Sequence, residues 1–282
     1  MSLLAWAGTV WEKVTGGTRM VTPEEIEGAL HLPVLAVIPH IERRSRAAVA
    51  KSGILSAQGP ILRRIDLEGR WRSRLLIQFP ESAPAAASYG ILAKELVTRS
   101  HTRRQKIWLL AGSVAGEGTS LTCMNTAIMA QRQGAKILII EGHTRAPRIS
   151  AVLRLDLAPG LTGCLNRSLN AVQAIQKSSL ADVDVLPAGH AVAYPEMLWG
   201  SPNFDRLLAD VKARYDVILF EAPPVLLYPD APILAPKMDG LVLVHQFGRT
   251  SPQRVEKVSL KLGDARERLL GVVLNDVPLT VH

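Results

Sequence analysis

Cysteine is nearly absent: the 282 residues hold only Cys123 and Cys164, at a spacing that matches no metal motif. That excludes a disulfide framework and a zinc module, and predicts two buried, reduced thiols. Aromatic residues make up 5 % of the chain, with four tyrosines. The basic stretch 42–74 has no interleaved aromatics beyond Trp71, so base stacking on nucleic acid is not expected. No apolar run approaches the ~18 residues needed to span a bilayer. The opening MSLLAWAGTVW lacks the basic start and long apolar centre of a secretory signal. A cytoplasmic chain is therefore expected. The seven histidines show no ligand spacing, and His101, His190 and His245 read as surface or strand-end residues.

What is present is a globular composition, 48 % hydrophobic with net charge +8. The charge is uneven: Glu42 to Arg74 carries nine basic and three acidic residues. Such a block suits an anionic neighbour, either membrane headgroups or nucleic acid, and reads at least as well as a solvated arm. Upstream, Leu3, Leu4, Ala7, Val10, Trp11 and Val14 form one apolar stripe on a predicted helix over 1–20. That stripe can lie on a membrane, dock on a partner or pack on the chain itself. Thr22, followed by Pro23, Glu24 and Glu25, has the chemistry of a helix start. PVLAVIP reads as a buried strand, residues 41–78 as an irregular basic linker, and the alanine-rich run before Ser100 as a helix.

From Lys106 the pattern alternates. KIWLLAG, KILIIEG, VDVLPAG, YDVILFEAPP, GLVLVHQF and LLGVVLNDV are apolar runs of strand length. Helical stretches separate them near 119–133, 164–178, 202–214, 230–237 and 251–268. Continuous apolar strands alternating with helices predict an α/β fold, a mostly parallel sheet covered on both faces.

Open sheets of this kind bind ligands at the carboxyl ends of their strands. The first such end is SVAGEGTSLT, a glycine loop that opens a helix and is built like a phosphate cradle. Gly116 and Gly118 permit close backbone approach, and Ser120 stands where a hydroxyl would meet Mg²⁺. Glu141 and Glu221 each follow an apolar strand directly, and two such carboxylates beside the loop form a candidate metal–phosphate site. Position 119, where a lysine would reach the phosphates, is threonine.

SVAGEGTS, ILIIEGHTRAP and VILFEAPPVLLYPDA resemble the Walker A, Walker A′ and Walker B segments of bacterial tyrosine kinases. These are P-loop proteins of the polysaccharide co-polymerase system, related to the MinD/ParA ATPases. TPEEIEGALHLPVLAVIP resembles the segment after the co-polymerase's second transmembrane helix, and GVVLNDVPL the family's final strand. The resemblance implies a P-loop NTPase-like domain over 81–282 and a juxtamembrane-like segment and linker over 21–80, downstream of the helix that spacing predicts over 1–20. It implies ATP or ADP with Mg²⁺ as ligand, bound through Gly116, Glu117, Gly118, Thr119, Ser120 and Leu121, with Asn275 at the adenine. It makes Ser120, Glu141 and Glu221 the metal ligands, and a membrane-embedded co-polymerase or another exopolysaccharide assembly protein the partner.

The departures point the other way. Loss of the lysine removes a charge-assisted phosphate contact worth roughly 1.5–3 kcal/mol, or roughly 10- to 150-fold in affinity. The two Walker A′ aspartates are Glu141 and His143, and the Walker B aspartate is Glu221. The charged positions of the family's oligomerisation motif are Ala87, Gly90 and Ala93. Its C-terminal tyrosine cluster is missing, the chain ending VPLTVH. The leading expectation is a catalytically degenerate relative, peripheral to the inner membrane, that serves exopolysaccharide assembly by binding partners. An active ATPase or tyrosine kinase is the alternative, with Lys136, Arg145 or Arg148 replacing the lost cation. A ParA-like DNA-associated protein ranks last.

Overall fold

All seven apolar runs form strands. The computed structural model describes residues 27–28, 32–41, 74–80, 83–167, 169–180 and 182–278. The expected helix over 1–20, the Thr22 cap and residues 42–73 of the basic arm lie outside them. Strands β1 (Val34–Pro39), β2 (Ile107–Gly112), β3 (Ile137–Glu141), β4 (Gln176–Lys177), β5 (Asp184–Leu186), β6 (Val217–Glu221), β7 (Gly240–Gln246) and β8 (Leu269–Val277) make one sheet. Its order is β1-β8-β7-β2-β6-β3-β5-β4. All pairings are parallel except β4 with β5.

The helices are α1 (Pro84–Arg103), α2 (Thr119–Arg132), α3 (Ile149–Leu153), α4 (Gly160–Arg167), α5 (Ala171–Ala174), α6 (Pro202–Lys212), α7 (Asp230–Leu234) and α8 (Pro252–Leu262). The expected helix near 164–178 is instead α4, α5 and the edge strand β4. Asn170 breaks it by capping α5, its side chain accepting from the Val172 N–H at 2.9 Å.

Side chains alternate across the strands and so build two cores. Ile107, Leu109 and Ala111 of β2 face the layer of α6, α7 and α8, while Trp108 and Leu110 face α1 and α2. On the first face Trp199, Phe204 and Phe220 pack with ring centroids 5.5–6.0 Å apart. Trp199 is thus a packing residue, and Tyr215 is buried with its hydroxyl on Asp184 at 2.8 Å. Cys123 and Cys164 are both buried and free.

Residues upstream of position 81 join the same body. β1 pairs with β8, and Leu75 and Leu76 are buried against α1 and α2. The Leu76 N–H donates to Asn125 Oδ1 at 2.9 Å, so part of the expected linker is docked. Among the described residues, no helix is long and apolar enough to cross a membrane.

Candidate functional site

Parallel pairing brings the carboxyl ends of β2, β3, β6 and β7 to one edge, with β2 between β6 and β7. The loop Ser113–Gly118 leaves β2 there and turns into α2, whose first N–H groups have no intrahelical partner. Gly116 and Gly118 take φ of 89° and 93°, the left-handed region that glycine adopts freely. A side chain on Gly118 would also collide with the Asn275 amide. That amide, from β8, donates to the Glu117 carbonyl at 3.0 Å. Asn275 therefore holds the loop in place from beneath, whatever it does toward a base.

Glu117 turns inward and is 1 % exposed. Its carboxylate accepts from the N–H groups of Ser113 at 2.5 Å and Val114 at 3.1 Å, and from the Thr250 hydroxyl at 2.6 Å. His245 Nδ1 lies 4.0 Å away and 2.9 Å from Ser113 Oγ. Burial works to raise the Glu117 pKa, but His245, Thr250 and the Val114 N–H together hold it below the usual carboxylate range. His245 is fully buried next to the last residue of β7, so of its two expected places the strand end holds and the surface does not, and Glu117 acts as the loop's internal brace.

Thr119 does not project as a lysine would. Its hydroxyl lies 2.8 Å from where a Cβ on Gly112 would stand, folded back toward the loop's start. Leu121 is buried in the α1–α2 core and contributes packing. Ser120 Oγ donates to Glu221 Oε1.

Glu141 and Glu221 are register partners on β3 and β6, as expected from their places after two strands. Their surroundings differ. Glu141 accepts from the N–H groups of Ile149 at 2.6 Å, Ser150 at 3.1 Å and Ala188 at 3.2 Å, capping α3 and tying it to the segment after β5. Glu221 is 2 % exposed, and its Oε2 has no partner. Burial and the Glu141 carboxylate push the Glu221 carboxyl up to about 8, so it carries a proton at neutral pH.

His143 is neutral there too, pushed down to about 4 by burial, with Asp230 opposing and Arg145 and Arg148 assisting. Its ring sits 5.9 Å from that of Tyr228, and Nδ1 has no partner. Arg145 lies over the Tyr228 ring at 4.6 Å. It donates to both carboxylate oxygens of buried Asp230, at 3.1 and 3.0 Å, and to Glu196. Asp230 also accepts from Trp199 Nε1 at 2.9 Å.

Two replacement cations named from the sequence are thereby disqualified. Arg145 is engaged by two carboxylates. Lys136 precedes β3, about 16 Å from the site at roughly 3.3 Å per residue, and packs over Tyr215. Arg148 is exposed, and its charge acts on both His143 and Glu221.

Sequence reasoning missed Arg249, in the loop after β7. Its Nη1 lies 3.3 Å from where a Cβ on Gly116 would stand. The signal was available: HQFGRT follows an apolar strand, as the glycine loop and both glutamates do.

The glycine loop, the α2 N-terminus and Arg249 fit a phosphate chain. Mg²⁺ fits poorly, because Ser120, Glu141 and Glu221 meet as expected but with their oxygens engaged or protonated. Among the described residues no group of three His, Cys, Asp or Glu side chains forms a metal site.

No family model matches the chain. It is 31 % identical over 194 residues to the tyrosine-protein kinase YwqD of Bacillus subtilis, spanning 69 % of this chain and 82 % of that one. It is 30 % identical over 176 residues to the tyrosine-protein kinase CpsD of Streptococcus agalactiae, spanning 62 % and 77 %. The kinase domain of Escherichia coli tyrosine kinase ETK superposes with a TM-score of 0.75 over 92 % of this chain and 95 % of that one, at 20 % identity. The MinD protein of Pyrococcus horikoshii, complexed with Mg-ADP, superposes at 0.51 over 61 % and 74 %, at 22 % identity. These structures show the fold, a P-loop NTPase-like sheet. With the identity to YwqD extending over most of that kinase's length, the chain belongs to the bacterial tyrosine-protein kinase family.

Proposed function

We propose that this chain is a tyrosine-kinase family member that no longer transfers phosphate and serves as a partner-binding component of exopolysaccharide or capsule assembly. The observation that carries this reading is the state of the two glutamates. Glu141 caps α3 with its carboxylate, and Glu221 is a protonated acid bonded to Ser120. Neither is then free to hold a metal or accept a tyrosine proton. Neutral His143 offers no negative charge, and Thr119 no positive one.

Acceptors are scarce as well. Tyr89 and Tyr215 are buried and Tyr228 lies under Arg145, which leaves Tyr194, 67 % exposed. The partner that suits this reading is a membrane-embedded polysaccharide co-polymerase, met on the cytoplasmic side of the inner membrane. Residues 1–20 and the basic 42–74 arm would assist by lying on anionic lipid. In this division, residues 21–80 correspond to the juxtamembrane segment and 81–282 to the P-loop domain, with β1, Leu75 and Leu76 of the former built into the latter.

A phosphotransfer assay tests the proposal. The purified chain is incubated with γ-labelled ATP, Mg²⁺ or Mn²⁺, and a glutamate–tyrosine copolymer, beside Ser120→Ala. Label should stay at background in both. Label on tyrosine that depends on Ser120 would establish the competing reading, an active kinase with unusual ligands.

A further inference from the structure

We propose that Arg249 supplies the phosphate-facing cation that Thr119 lacks, so that the loop binds a nucleoside di- or triphosphate without a divalent metal. The site is a glycine loop that opens a helix of 14 residues. A helix N-terminus attracts anions but does not fix them.

Arg249 comes from the loop after β7 and places its guanidinium beside Gly116, whose missing side chain leaves the approach open. The placement is built into the fold. Adjacent Thr250 is bonded to the loop's own Glu117, and Arg254 donates to the Arg249 carbonyl. Arg249 Nη1 donates to the neutral Gln246 Oε1 at 3.1 Å, and among the described residues it forms no ion pair with a carboxylate. Its charge is therefore available to a ligand, unlike that of Arg145.

A second, independent feature lies at the start of the same helix. Glu221 Oε2 is buried, has no partner, and belongs to the carboxyl group that receives Ser120 at the start of α2. Ser120 is spent on Glu221 and both Glu141 oxygens on backbone N–H groups, so no free ligand set remains there for a divalent metal. The missing lysine and the engaged carboxylates thus fit together: the cation enters from the β7–α8 loop, and the groups that would hold a metal are committed to the protein.

The inference goes beyond the partner-binding role, which needs no nucleotide. The test is isothermal titration, with melting temperature as a second readout, of the full chain with ADP, ATP or inorganic pyrophosphate in EDTA and in Mg²⁺. The variants are Arg249→Ala, Arg249→Ala with Thr119→Lys, and Lys257→Ala as an exposed-charge control. Binding is expected in EDTA. It should weaken roughly 10- to 150-fold in Arg249→Ala, the loss of one charge-assisted hydrogen bond, and recover in the double variant. Lys257→Ala should bind as the natural protein does. Arg249 is exposed, so its removal should leave the unliganded melting temperature unchanged.

Equal affinity in Arg249→Ala, or binding only with Mg²⁺, would overturn the inference. So would the absence of nucleotide and pyrophosphate binding in the natural protein, which would leave the partner-binding reading standing. Phosphotransfer to tyrosine would overturn that reading and leave the Arg249 result to be judged by its own titration.

Discussion

Glu117, Glu221 and His143 are three side chains whose charge is set by their surroundings, and each makes a separate prediction. Glu117 braces the glycine loop through two backbone N–H groups and Thr250. Glu117→Ala leaves those donors buried without an acceptor and should cost on the order of 3 kcal/mol, read as a lower urea midpoint. An unchanged midpoint would mean that water replaces the carboxylate. Glu221 is raised to about 8, so the folded state holds a proton that the unfolded chain releases near 4.5. Its contribution is full below that lower value and falls as pH rises toward 8, by up to about 1.4 kcal/mol per pH unit. His143 runs the opposite way. Lowered to about 4 from 6.5, it adds stability as pH rises through that window. The two slopes offset each other between about 4.5 and 6.5, and Glu221 acts alone from there to about 8. Urea titrations at pH 6.5 and 8 should show falling stability, and Glu221→Gln should remove the decline. A decline that survives Glu221→Gln would assign it to another group.

At the scale of elements, α3 and β1 depend on single residues of neighbouring elements. Helix α3 has five residues, too short to persist alone. It exists because Glu141 receives its first N–H groups, at a position the family resemblance assigned to metal binding. Glu141→Ala should cost about 2–4 kcal/mol and loosen α3, seen as faster amide exchange at Ile149 and Ser150. If exchange there is unchanged, the capping role is wrong. Strand β1 approaches β8 over Gly271, where a methyl group would meet the Pro33 carbonyl and Leu35. Gly271→Ala should therefore cost about 1–3 kcal/mol by pushing β1 outward. An unaltered melting temperature would show that the edge strand adjusts freely.

For the whole molecule, β1 completes a parallel sheet from a point far upstream in sequence, covering the β8 edge that would otherwise lie open. Val37 and Ile38 of β1 are 2 % and 0 % exposed. Deletion through residue 41 should lower stability and promote association, measured by thermal melting and light scattering. Equal behaviour of the truncated chain would make β1 an ornament of the sheet. Most of this architecture was legible beforehand. Seven apolar runs became strands, and the glycine loop, Glu141 and Glu221 fell at strand ends because side-chain period and strand length are local properties. The expected helix near 164–178 failed, because Asn170 offered a local cap and β5 a strand partner that periodicity does not encode.

The candidate site divides along the same line. Sequence alone determined the fold class, the family, the missing lysine and the convergence of loop and glutamates, since each follows from residue type and order along one strand or turn. What those groups do was decided only by tertiary structure. Whether Glu141 is free or caps α3, whether Arg145 faces a ligand or Asp230, and whether Arg249 reaches the loop all depend on contacts between residues far apart in the chain. Charge state follows the same rule. A carboxyl at a strand end looks ionised in sequence, and only the burial of Glu221 beside Glu141 keeps its proton on.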